Sequence, residues 1–168
     1  MEDPIISGVV QDASESKVTV IAVPDRPGIS AALFENLANA NINVDMIVQN
    51  TSKDGLTDIS FTVPKADMRT AEDIVARVAG EIGAQAVTHD ADIAKVSLVG
   101  AGMKTSPGIA AKMFRVLAEN NVNIQMISTS TIRVSVVVAA GDMERRDGSL
   151  RFTPRGMMIA NAVLARLV

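Results

Sequence analysis

Residues 17–50 read KVTVIAVPDRPGISAALFENLANANINVDMIVQN, and residues 95–130 read KVSLVGAGMKTSPGIAAKMFRVLAENNVNIQMISTS. The two stretches are offset by 78 at their first lysines and by 80 at their Pro-Gly pairs, so the second carries two extra residues in its first loop. Between residues 27–50 and 107–130, 11 of 24 positions are identical. They include Pro-Gly-Ile, Phe34 with Phe114, Leu37 with Leu117, Asn41 with Asn121, Asn43 with Asn123, and Met46-Ile47 with Met126-Ile127. Self-similarity over this length means two copies of one domain, and two copies are too few for a solenoid array.

Each copy reads as strand, loop, helix, strand, strand. Val18 to Val23 is apolar and rich in β-branched residues, as a strand with little water on either face must be. Pro24-Asp25-Arg26-Pro27-Gly28 breaks it, because proline denies amide donors and glycine admits unusual φ. Ile29, Leu33 and Leu37 then recur at helical spacing, with Phe34 and Ala38 beside them. Asn39 to Asn41 ends that helix, and Ile42 to Gln49 predicts the next strand. Lys53-Asp54-Gly55 supplies a hairpin turn into a strand where Thr57, Ile59, Phe61 and Val63 alternate with polar residues. A second helix follows, capped by Asp67 and closed by Gly83, and a short strand near Gln85 to His89 completes β-α-β-β-α-β. That order predicts an α+β fold: a ferredoxin-like antiparallel sheet with two helices on one face. The expected division is 15–92 for the first domain and 93–168 for the second. Residues 139–168 form an atypical tail with five Arg and no Lys from 142 onward, in which Met157 to Leu167 can make a short helix.

Composition removes most function classes. The 168 residues are 48% hydrophobic, so the chain can build real cores. Aromatics are 2% and the net charge is −3, which argues against stacking on bases or drawing in phosphate backbones. With no Cys and a single His, thiol chemistry and His-based metal sites have no residues to use. No apolar run approaches the ~20 residues that span a bilayer, and MEDPIISG is no signal peptide. The expectation is a cytoplasmic protein that binds neither nucleic acid nor membrane.

The chemistry left to the chain lies in its loops. A glycine loop that opens a helix aims unpaired N–H groups and the positive end of the helix dipole at whatever sits above it. A carboxylate fits there, and Asp25 can hold an ammonium nearby, so the loop offers complementary ends for a free amino acid. The strand Asn43-Val44-Asp45 is expected beside this loop. In the competing reading, Pro-Gly only shapes a turn and Asp25 only caps the helix. Recurrence at Ser106-Pro107-Gly108-Ile109, with Asn123 in register with Asn43, shifts the balance towards function. Other candidates are weaker. Val99-Gly100-Ala101-Gly102 lacks the third glycine of a dinucleotide loop, Asp90 and Asp92 read as solvated charges, and Ser128-Thr129-Ser130-Thr131 has no nearby base.

Taken together, these motifs resemble the tandem ACT regulatory domains of aspartate kinases. The likeness covers roughly residues 1–138 and rests on the paired Pro-Gly loops, on NINVDMIVQN at 41–50, on KVSLVGAGMK at 95–104 and on VNIQMISTS at 122–130. Even the opening MEDPIISGVV is similar to the start of a separate regulatory (beta) subunit, which some bacteria make from an internal start in the kinase gene and assemble with catalytic (alpha) subunits as α2β2.

The resemblance implies that a strand from residues 1–14, near Ile5 to Val10, completes the second domain, and that ACT domains pair side by side as a homodimer, first copy against the partner's second copy, with effectors at that interface. It implies threonine, lysine or both as effectors, no cofactor, and feedback inhibition of a kinase that makes aspartyl phosphate. The chain itself would not be catalytic, because the kinase half is absent. On this likeness Asp25, Pro27, Gly28, Ile29, Ser30 and Gln49 line the first effector site, approached by Asn123 and Ile124 of the other chain. Thr105, Ser106, Pro107, Gly108, Ile109, Ala110, Asp45 and Ser130 line the second. Gln125 and Thr131 stand where relatives commonly carry Glu, and Ala110 where they commonly carry Thr. Two carboxylates fewer make that second site less suited to a cationic side chain. The runner-up function is a stand-alone tandem-ACT regulator acting on another enzyme or a transcription factor. A small enzyme on the same fold would need clustered acid and base residues that the sequence does not show.

Overall fold

The computed structural model describes residues 5–50, 54–101, 108–146 and 149–152. Ser14–Ala91 make one unit, and the N-terminal residues up to Ala13 join those from Asp92 onward in the other. In chain order, strand β1 (Ile5–Asp12) comes first and belongs to the second of these.

The unit over residues 14–91 contains β2 (Glu15–Pro24), α1 (Ile29–Asn39), β3 (Ile47–Gln49), β4 (Leu56–Pro64), α2 (Met68–Ile82) and β5 (Ala86–Asp90). Its antiparallel sheet has the order β3-β4-β2-β5, the ferredoxin-like arrangement. Val18, Val20, Ile59 and Phe61 are all fully buried on the face that the helices cover. Leu33 and Leu37 of α1 and Val75 and Val78 of α2 close the core over them. Phe34 meets Phe61 edge to face at 5.3 Å, the geometry that ring quadrupoles favour. Arg77 ties the two helices on the outside, donating to Asn36 Oδ1 and to Glu81, each at 3.0 Å. The opposite face of the sheet is polar, with the Thr19 and Ser60 hydroxyls 2.9 Å apart.

Two local expectations need correction. The strand foreseen over 42–49 is regular only from Ile47 to Gln49. Asp45 and Met46 both donate to Thr62, one to its carbonyl and the next to its hydroxyl, and two successive amides spent on one residue break the ladder. Asp67 stands at the N-cap of α2 but makes no side-chain cap bond, because a 3-10 turn over Lys65–Asp67 leads into the helix instead. Gly83 closes that helix in the left-handed conformation, as foreseen.

The other unit contains β1, β6 (Ile93–Ala101), α3 (Ile109–Glu119), β7 (Ile124–Thr129) and β8 (Arg133–Ala139), with sheet order β1-β6-β8-β7. Strand β1 takes the edge beside β6 that β5 takes beside β2, and Asp12 faces Lys95 at 3.7 Å. Val96, Leu98, Val134 and Val136 pack under Ile109, Met113, Val116 and Leu117 of α3. Beyond β8, strands β9 (Met143–Arg146) and β10 (Ser149–Phe152) pair as a two-stranded sheet. The tail is therefore extended at 143–146 and 149–152, and Asp147-Gly148 between them in sequence is a dipeptide common in hairpins. Those two residues, and the helix foreseen over 157–167, lie outside the described residues.

Two substitutions test this account. Phe61→Ala removes a fully buried ring and should destabilise the chain by about 3–5 kcal/mol in urea denaturation. Gly28 sits at φ +93, yet a Cβ there would meet nothing within 4 Å. Gly28→Ala should therefore lose only about 1 kcal/mol, through backbone strain alone.

Candidate functional site

Strand β2 stops at Pro24, and the chain turns through Asp25–Gly28 into α1. The Asp25 amide donates to the Gly55 carbonyl at 2.8 Å, so the loop is braced by the hairpin end that the sequence suggested only as a turn. Gly28 is the N-cap of α1 in the left-handed conformation, and no side chain caps the helix. Asp25 thus does not cap α1. The Ile29 amide donates to the Arg26 carbonyl at 3.5 Å, and no side chain caps the Ser30 and Ala31 amides, which have the positive helix end behind them.

Next to these amides, Ser30 Oγ donates to Gln49 Oε1 at 3.0 Å. That bond joins α1 to β3, so two residues nineteen apart in sequence meet at one end of the unit. Asp25, Pro27 and Gly28 are exposed there, whereas Ile29 is 7% exposed and anchors the loop in the core. Asp45 is not in this group. α1 runs 11 residues, about 16 Å, away from the loop before the chain returns. The Asp45 amide then bonds the Thr62 carbonyl, towards the end of β4 remote from Gly55. The expected neighbourhood of Asn43–Asp45 and the Pro-Gly loop within one unit is therefore wrong. Gln49 comes to the loop instead, because β3 runs back towards it.

At Gly108 the repeat gives the same helix start with different side chains. Gly108 caps α3 at φ +100 without a side-chain bond, and Ile109 is 6% exposed. At the positions of Ser30 and Gln49 stand Ala110 and Thr129, which cannot make the same contact. Asn123, Ile124 and Gln125 lie at the other end of α3, with Asn123 exposed and Ile124 packed on the core. Ser130 is exposed; its amide donates to the Arg133 carbonyl at 2.8 Å and its hydroxyl accepts the Ile132 amide at 3.4 Å. Thr105, Ser106 and Pro107 lie outside the described residues. Among the described residues, no group of acidic, His or Cys side chains could hold a metal ion, and no helix is long and apolar enough to cross a membrane.

Comparison with known proteins agrees with this geometry. The ACT domain profile matches residues 18–78 and 96–145, one stretch in each copy of the repeat. The aspartate kinase of Pseudomonas fluorescens SBW25 is 51% identical over 138 residues, which are 82% of this chain and 33% of that protein. The chain thus spans about a third of the length of the curated relatives it matches. Among solved structures, aspartokinase alpha and beta subunits give 39% identity and a TM-score of 0.80, covering 97% of this chain and 98% of that one. The ligand-free regulatory subunit of aspartate kinase from Thermus thermophilus gives 34% identity and a TM-score of 0.81, with coverage of 95% and 97%. The chain belongs to the ACT domain family, as a tandem pair similar from end to end to aspartate kinase regulatory subunits.

Proposed function

We propose that this chain is the non-catalytic regulatory part of an aspartate kinase, and that it lowers kinase activity when it binds threonine, lysine or both. The observation that carries this is the Ser30–Gln49 pair beside the uncapped amides of α1. An amino acid would set its carboxylate on those amides and its ammonium near Asp25. Its side-chain hydroxyl would replace one partner of the Ser30–Gln49 bond. Threonine suits that pair because its hydroxyl can exchange with either partner of the bond; at the second loop, Gln125 and Thr131 supply no carboxylate for a lysine ammonium.

The assembly proposed is a homodimer of side-by-side ACT domains, the first of one chain against the second of the other. Ile47 on edge strand β3 and Ile127 on edge strand β7 occupy the same position of the repeat and are 49% and 44% exposed. Half-exposed isoleucines at two sheet edges are what such pairing would cover. Asn123 and Ile124 would then reach the other chain's loop, which accounts for their distance from their own. The catalytic partner would be an aspartate kinase alpha subunit in an α2β2 enzyme; solved aspartokinase alpha and beta subunits resemble this chain.

Calorimetric titration with L-threonine and L-lysine, separately and together, tests the proposal. Binding between about 10 μM and 1 mM is expected, or roughly 4–7 kcal/mol, with threonine the tighter. Threonine should also raise the melting temperature and shift the chain towards dimer in sedimentation. No heat and no melting shift with threonine, lysine or methionine would refute it.

A further inference from the structure

Strand β2 carries a β-bulge just before the loop. Val20 pairs with Ile59 and Val23 with Thr57, so Ile21 and Ala22 stand opposite Asp58 alone. Ala22 has φ +53, a conformation that residues other than glycine, asparagine and aspartate seldom adopt. A bulged residue loses its ladder partner on the neighbouring strand. Here the Ala22 amide goes to the Asp58 side chain instead, donating to Oδ1 at 2.8 Å. On the other side of β2, the Ile21 carbonyl accepts the Gln85 amide at 3.0 Å.

The bulge changes which face the strand's end presents. Val18, Val20 and Val23 are all fully buried. Unbroken alternation would have turned Ala22 inward and Val23 outward. Two residues beyond Val23 comes Asp25, so the bulge sets the face on which Asp25 leaves the sheet, the face from which α1 starts. The second copy lacks the device. At Gly100, the counterpart of Ala22, the amide keeps a backbone acceptor across the sheet, the Ile132 carbonyl at 2.9 Å, and no described residue of β6 has positive φ. Two residues before the cross-strand hydroxyl of Ser60 is Asp58; two before that of Ser135 is Arg133.

We propose that Asp58 is a positioning residue for the first loop: by holding the Ala22 bulge it fixes where Asp25 and the uncapped amides of Ser30 and Ala31 stand. Its consequence for ligand affinity rests on the function proposed above, but the brace itself does not.

The test uses the full chain with Asp58→Ala, Asp58→Asn and Asp58→Ala combined with Ala22→Gly. Without ligand, Asp58→Ala should speed hydrogen exchange at Ala22, Asp25, Arg26 and Gly28 about 5- to 20-fold, leaving β6 and α3 unchanged. With L-threonine as the probe, the same variant should raise Kd by about the same factor. Asp58→Asn keeps an Oδ1 acceptor and should stay within about threefold of the unmodified chain. Adding Ala22→Gly removes the strained φ and should recover part of the loss. The proposal falls if Asp58→Ala leaves exchange at these amides unchanged, or speeds it evenly across residues 15–90. It falls equally if exchange changes while threonine binds as before. Should the unmodified chain bind no threonine, the amino-acid function fails on its own, and exchange alone decides the brace.

Discussion

At φ +93 and +100, Gly28 and Gly108 turn the chain from a central strand into a helix whose first amides have no side chain over them. The next residue in each copy, Ile29 or Ile109, is already buried. Within one residue step the chain thus passes from an exposed glycine to the hydrophobic core. The core of each unit supports this step: fully buried Leu33 and Leu37 hold α1, and Met113 and Leu117 hold α3. Donors presented this way are pre-organised, so a ligand that uses them would not have to order the loop first.

The duplication preserved this helix start and let the side chains diverge. One loop has Ser30 bonded to Gln49; the other has Ala110 and Thr129 at those positions. One is preceded by a bulge at Ala22 against β4, the other by a strand that pairs with β8 unshifted, with two extra residues in the following loop. The two loops start from the same helix geometry and differ in nearly every group that could read a ligand's side chain. Equal affinity for one amino acid at both is not what such chemistry favours.

The ferredoxin-like units were legible because their signals are local and repeated. Alternation from Thr57 to Val63 and the helical spacing of Ile29, Leu33 and Leu37 each place a residue by its own periodicity. What escaped depends on partners far along the chain. The strand over 42–49 was drawn too long because its end is decided by Thr62, whose hydroxyl takes the amide that regular pairing would have used. Asp58 looked like one polar residue in an alternating strand, and nothing nearby marks it as the acceptor for Ala22. The loop glycines and Ser30 could be picked out from the repeat. That Asn43–Asp45 lies away from the loop follows only from the direction in which α1 carries the chain.

A pair of small domains suits regulation for a physical reason. Effector binding can bias an enzyme only by the difference in its affinity for two states, typically 1–3 kcal/mol, however tightly it binds overall. A cradle contained within one unit would bind alike in both states and transmit nothing. If the site is shared, with an uncapped helix end from one copy and edge residues such as Asn123 and Ile124 from another, the ligand favours the arrangement that brings them together. Affinity then becomes coupling without any change inside either core. Were the exposed Ile47 and Ile127 to be covered in that arrangement, a pairing equilibrium close to balance would let a small metabolite tip it.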